Sequence, residues 1–409
     1  MKVLLAPHGT RGDVQPAIAL AVALRARGHD ARFVAPSNAV ASIRRHGFEA
    51  DANGVDIEAV MRSSGADPHS LRWLTRQLID SLAPLFETIA AASATADVIV
   101  GAGAQIPAAS VAEWRDVPYA TAVFCPCAIP SSEIPPPTVR TQTLPRWLNR
   151  LLWQAGGPAA DLLLRSAINR GRRRLGLRPI HDPLSQLING PVIVAADPDL
   201  APLPEDRPQG VVGTDAWILE DAGALDPRVD AFLSRDPAPV YIGFGSMIAT
   251  RGSELAELTL AAVRAVGRGA IVAGGWAELD RGITGAPGAP PVDDVLAVDS
   301  VPHSLVLPRV GAAIHHGGAG TTTAVARAGV PQVLLPHLLD QYYWAHRVET
   351  LGLGPRAMPV QLVTADILSA RLDTALHDPR VRDRAAGLGR QIASRNGVGA
   401  AVDYLEALA

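Results

Sequence analysis

The segment "HHGGAGTT", residues 315 to 322, sets two histidines, three glycines and two threonines between an apolar run and a helical pattern. A strand ending in a Gly-rich turn that opens into a helix gathers unpaired backbone N–H groups and the positive helix end at one point. That arrangement is an anion site. Gly317, Gly318 and Gly320 allow the backbone close to a bound phosphate, which a Cβ would obstruct. Thr321 and Thr322 can add hydroxyl donors, and His316 a ring N–H. On chemistry alone, such a turn either binds phosphate or merely permits tight packing.

A second segment, "HGTRGDVQP" at residues 8 to 16, follows the apolar run "MKVLLAP" and carries Gly9 and Gly12. It resembles a dinucleotide-binding loop until Asp13, whose charge would repel a pyrophosphate. Two roles suit a carboxylate there. Asp-x-x-Pro is a good helix start, so Asp13 can cap the following helix. It can also take the proton of a hydroxyl as that hydroxyl attacks. His8 is expected in the loop, off the base position.

The elements that must position these residues alternate between β-branched runs and amphipathic stretches, the pattern of βαβ units around parallel sheets. "KVLLAP", "ARFVAP", "DVIVGAG", "YATAVF" and "PVIVAA" read as strands in the first half, and "PAIALAVALRARGH" as a helix with Pro16 in its first turn and Gly28 past its end. "PVYIGFGS", "GAIVAGG", "VLAVDS", "VGAAIHHGG" and "VPQVLLP" are strands in the second half, with "ELAELTLAAVRAVG" and "TTTAVARAG" as helices.

The turn-rich stretch 215–239 separates the two series. The expectation is an α/β chain of two doubly wound, Rossmann-like domains facing a central cleft. Residues 1–214 form the first, 215–239 the linker, 240–390 the second, and 391–409 a C-terminal helix that can pack back on the first. Ligands belong at the C-terminal strand ends.

At 409 residues, 48% of them apolar, two cores are affordable, and no run nears the roughly 20 apolar residues of a membrane span. The opening lacks the pattern of a secretory signal, so a cytoplasmic location is expected. A net charge of -3 argues against nucleic acid, and the arginines of "NRGRRRLGLRP" read as a solvated helix face. Lys2 is the only lysine. Cys125 and Cys127 are too close in sequence for an easy disulfide or a closed zinc site, and are expected to be reduced. Beyond the triple proline at 135–137, Trp147, Leu148, Leu151, Leu152 and Trp153 form an apolar stripe. It suits a helix packed on its own domain, an acceptor lining, or a peripheral membrane contact beside Arg146 and Arg150.

Three passages together carry a family resemblance: "GTRGDVQPAIALAVALRARGHDARFVAP", "PVYIGFGSM", and "HHGGAGTT" with "AGVPQVLLPHLLDQYYWAHRV". They resemble, in order, the GT-B nucleotide-sugar glycosyltransferases of family-one type, in particular the bacterial natural-product and sterol group. The resemblance implies an inverting, metal-independent hexosyltransferase with the acceptor on the first domain and the donor on the second. It places His316, Gly317, Gly318, Gly320 and Thr321 on the donor diphosphate, with Ser246 facing the phosphates or capping the next helix. Asp340 and Gln341 would bond the sugar, although Asp340 also suits a helix N-cap.

Relatives that select UDP often have a Trp where this chain has Ser300 and a Glu where it has Ala324. Without them, the base would be read by backbone groups near Val301 and by His303, and both UDP- and dTDP-hexoses remain open as donors. No cofactor beyond that co-substrate is implied. Asp13 stands where much of the family has a His, as in a subset of antibiotic-modifying members, and becomes the expected base, with Thr10 near the acceptor or a donor phosphate. The acceptor would be a hydroxyl of an apolar polyketide, macrolide or peptide aglycone, with a sterol or other lipid second because of "DQYYWA".

The rivals are weaker. A nicotinamide oxidoreductase needs a Gly-x-Gly-x-x-Gly turn that "HGTRGD" does not supply. A nucleotide-sugar epimerase would share the fold, and a non-catalytic activator would be expected to have lost Asp13 or the Gly-rich turn. "DPD" at 197–199 suits a loop better than a metal site, and "GFGSM" is no nucleophile elbow.

Overall fold

The computed structural model describes residues 1–63, 71–103, 105–183, 185–188, 190–220, 223–245, 252–274 and 294–409. They divide into two compact units. The first comprises Met1–Pro136, Thr143–Leu219 and Asn396–Ala409; the second comprises Pro137–Gln142 and Glu220–Arg395.

Unit 1 is built on a seven-stranded sheet of β1 (Lys2–His8), β2 (Asp30–Ala35), β3 (Glu49–Ala52), β4 (Val98–Gly103), β5 (Tyr119–Val123), β6 (Val192–Ala195) and β7 (Val211–Thr214). Its order is β3-β2-β1-β4-β5-β6-β7, every pairing parallel. Parallel strands need crossovers, and helices on both faces leave the sheet buried on both sides. Val3, Leu5, Val98 and Val100 pack beneath helix Arg11–Ala26 and the last helix, Val398–Leu408. The alternate residues Leu4, Ala6 and Ile99 turn to helices Leu71–Ala92, Pro107–Arg115 and Arg146–Arg174.

Unit 2 has a five-stranded parallel sheet of β8 (Val240–Gly243), β9 (Ala270–Ala273), β10 (Val295–Val298), β11 (Ala312–His315) and β12 (Gln332–Leu334), ordered β10-β9-β8-β11-β12.

Several expectations need correction. The first helix begins at Arg11, so Asp13 lies inside its first turn and Pro16 in its second. His8 is no loop residue. It ends β1, buried, in register with Gly103, because the backbone leaves the strand only at Gly9. The stretch 215–239 contains helix Pro227–Leu233, whose Val229, Phe232 and Leu233 are buried in the unit 2 core. Cys125 and Cys127 pair as a disulfide, their Cα atoms 5.2 Å apart, a separation the local turn makes possible despite the short spacing.

Within the arginine run, Arg172 is buried and forms a two-pronged pair with Glu113, while Arg174 meets Glu87 at the surface. In the helix beyond the prolines, Trp147 and Leu151 are 67% and 51% exposed. Among the described residues no helix is long and apolar enough to cross a membrane.

Candidate active site

In a doubly wound sheet the crevice for ligands opens where neighbouring strands send their chains to opposite sides. In unit 1 that switch lies between β1 and β4, and in unit 2 between β8 and β11.

At the unit 1 switch, the turn after β1 carries Asp13. Thr10 is the N-cap of the following helix and accepts from the Gly12 amide, while Asp13, at the third helical position, accepts from the Thr10 amide at 2.8 Å. The two form a reciprocal capping box. The carboxylate is half-buried over two glycines. A Cβ at Gly9 would collide with it, and one at Gly103 would lie 2.6 Å from Asp13 Oδ1 and 2.7 Å from the His8 carbonyl. Gly103 also has φ +69°, which side chains disfavour. Burial holds the neutral His8 imidazole down to about 4, and Asn53 lies 3.5 Å from its Nδ1. Asp197, of the "DPD" loop, is buried and accepts from the Ala216 amide.

At the unit 2 switch, β11 ends at His315 beside Gly243, and Gly317 turns the chain at φ +90°. Gly318 is the N-cap of helix Ala319–Arg327. The helix supplies no acceptor for the amides of its first residues, Ala319, Gly320 and Thr321. The His316 ring packs between Gly245 and Gly318; a Cβ at Gly245 would sit 3.2 Å from it. Burial, then His315, holds its imidazole down to about 3, against the Gly243 backbone. Its Nδ1 is buried with no hydrogen-bond partner among the described residues. Thr322 turns inward and bonds the Gly318 carbonyl, so of the two threonines only Thr321 remains at the turn's surface. Ser246 lies outside the described residues.

Asp340 precedes helix Gln341–Leu351 and occupies the N-cap position without capping with its side chain. Burial pushes its carboxyl up to about 6, against the Trp344 indole. Leu339, immediately before it, has φ +50°, a strained conformation of the kind found at binding loops. Gln341 is buried, and its Oε1 accepts from the amides of His337 at 2.7 Å and Leu338 at 3.2 Å, so it shapes the loop that presents Asp340. Val301 is in the unit 2 core, and His303 opens a short helix with its Nε2 3.0 Å from the Tyr241 hydroxyl. Ser300 is exposed and Ala324 half-buried, offering neither aromatic ring nor carboxylate. Among the described residues no group of three or more His, Cys, Asp or Glu is placed to hold a metal ion.

Sequence reasoning missed two residues. His315 and Gln332 are fully buried and bonded to each other at 2.9 Å. The signal was a polar residue within each of two apolar strands, His315 ending β11 and Gln332 opening β12.

Two parallel α/β units, with a Gly-rich strand-to-helix turn at one switch point and a carboxylate at the other, match the GT-B fold of nucleotide-sugar glycosyltransferases. The chain belongs to the antibiotic-type glycosyltransferases of that fold. Residues 3–128 match the glycosyltransferase family 28 N-terminal domain, and residues 281–408 the erythromycin biosynthesis protein CIII-like C-terminal domain. The chain is 37% identical to the vancomycin aglycone glucosyltransferase of Amycolatopsis orientalis, over 100% of this chain and 98% of that protein. It is 30% identical to sterol 3-beta-glucosyltransferase UGT80B1 of Arabidopsis thaliana, over 98% of this chain and 67% of the relative. The solved glycosyltransferase VinC in complex with dTDP shares the fold at a TM-score of 0.71 and 21% identity, covering 100% and 99% of the two chains.

Proposed function

We propose that the protein is an inverting, metal-independent hexosyltransferase that moves sugar from a UDP- or dTDP-hexose to a hydroxyl of an apolar natural-product aglycone. The observation that carries this reading is the placement of Asp13 and the Gly-rich turn at the switch points of their respective sheets. Asp13 takes the acceptor proton as the oxygen attacks the anomeric carbon; the bond to the diphosphate breaks, and the leaving group carries its charge away. The amides of Ala319, Gly320 and Thr321, with the His316 ring, receive that charge. Asp340 bonds the sugar hydroxyls, and Gln341 serves mainly by holding the loop behind it.

A peptide aglycone is the favoured acceptor, because the vancomycin aglycone glucosyltransferase aligns over the whole chain. A sterol is second, on the UGT80B1 similarity. The same two-unit fold would suit a nucleotide-sugar epimerase, which would need no acceptor. A thermal-shift panel of UDP- and dTDP-sugars, followed by transfer assays on glycopeptide, polyketide and sterol acceptors, tests the reading. Stabilisation by a nucleotide sugar with transfer to an aglycone supports it; binding of NAD(H) and of no nucleotide sugar overturns it.

A further inference from the structure

Four groups form an unbroken chain of hydrogen bonds beneath the Gly-rich turn. The Gly317 amide donates to His315 Nδ1 at 3.1 Å. A backbone N–H can only donate, so Nδ1 must be unprotonated and the proton of the neutral ring sits on Nε2. Nε2 lies 2.9 Å from Gln332 Oε1, which accepts. The other end of that amide, Gln332 Nε2, donates to the Thr322 carbonyl at 3.3 Å. Each donor thus meets an acceptor, in one direction, from residue 317 to residue 322.

His315, Gln332 and Thr322 are all fully buried, where a missing partner is costly. Burial also keeps the His315 imidazole down at about 4, in its neutral form, with His303 acting the same way against a second proton. The two ends of the chain bracket the turn. Gly317 supplies the left-handed residue that starts it, and Thr322 closes the first helical turn through its bonds to Gly318. Gln332 is itself fixed, its backbone N–H donating to the Leu353 carbonyl.

We propose that His315 and Gln332 are a positioning pair that holds the Gly-rich turn in its phosphate-binding shape, so that removing either weakens diphosphate binding without touching the ligand. The inference rests on the reading of that turn as the donor diphosphate site.

The test is calorimetric titration of thymidine and dTDP, with uridine and UDP in parallel, into the full-length wild type, Gln332→Met, His315→Asn and the double variant, well below each melting temperature. The ratio of diphosphate to nucleoside affinity isolates the turn from the rest of the site. In each single variant the ratio is expected to fall by about tenfold, the size of one lost buried hydrogen bond, with nucleoside affinity within about twofold. The double variant should lose no more than either single one, because both break one chain. Should one variant fail to fold, the other carries the comparison alone. A wild-type ratio retained in a variant, a parallel loss of nucleoside and diphosphate, or losses that multiply in the double variant would overturn the pair. A wild type that binds dTDP and UDP no better than their nucleosides would overturn the phosphate site itself, and the pair with it.

Discussion

Asp13 Oδ2 accepts a hydrogen bond from the Thr10 amide at 2.8 Å, closing the capping box at the start of helix Arg11–Ala26. The proposed base is thus also a structural residue, and the two roles separate by substitution. Asp13→Asn keeps a carbonyl oxygen for the Thr10 amide but cannot take a proton; Asp13→Ala loses both functions. Thermal or urea unfolding should show Asp13→Ala destabilised by about 1 kcal/mol and Asp13→Asn by a few tenths at most. Equal stability of the two would mean that the box contributes little.

Gly103 sets the height of the Asp13 carboxylate. Gly103→Ala places a methyl group against Asp13 Oδ1 at a φ of +69°, so the carboxylate or the strand end must move. Turnover is expected to fall at least about tenfold. The KM for the nucleotide sugar should stay unchanged, since unit 2 is untouched. A shifted donor KM with intact turnover would contradict this.

Asp340 is held against its own stability. A carboxyl pushed up to about 6 favours the protonated form in the folded chain, so stability is lost as pH rises from about 4 to about 6. Asp340→Asn should therefore raise stability at pH 8 by on the order of 1–2 kcal/mol, allowing for its partial exposure, and leave it unchanged at pH 4. Sugar transfer should collapse. Denaturation at the two pH values, beside an activity assay, checks both halves.

Acidification should begin to destabilise the protein below about pH 6.5, before ordinary carboxylates titrate. The His8 and His315 imidazoles are held down to about 4 and His316 to about 3, while an unfolded histidine binds its proton near 6.5. Below about pH 6.5 the unfolded chain binds more protons, so stability falls as pH drops towards 4. Asp340 acts in the opposite sense over part of that range. The net slope near pH 5 is at most about 3 kcal/mol per pH unit, two protons' worth. Urea midpoints at pH 7.5, 6 and 5 measure it; a flat profile would contradict the buried neutral histidines.

The strands that carry the sites were legible because each is a continuous apolar run buried on both faces. The two that were not, β3 "EADA" and β7 "VVGT", are the short edge strands of the first sheet, where one side needs no partner and polar residues are tolerated. The start of the first helix was misplaced because the capping residue is Thr10 and the acid three positions on completes its box; read alone, Asp13 looks like the cap itself. Helix Pro227–Leu233 hid among turn residues because its three buried side chains are spread over only seven positions. His316 and the glycines were readable as an anion turn from type and spacing. His315 and Gln332 were not, because their partners are 10 to 17 residues apart along the chain and only the pairing of β11 with β12 brings them together.

The proposed transfer turns on Asp13 taking the acceptor's proton. The most direct measurement is single-turnover transfer by Asp13→Asn, with donor and acceptor saturating, beside calorimetry of nucleotide binding. Turnover should fall by about 100-fold or more while dTDP or UDP affinity stays within about twofold and the fold is retained. An Asp13→Asn variant that kept most of its turnover would show that the proton goes elsewhere.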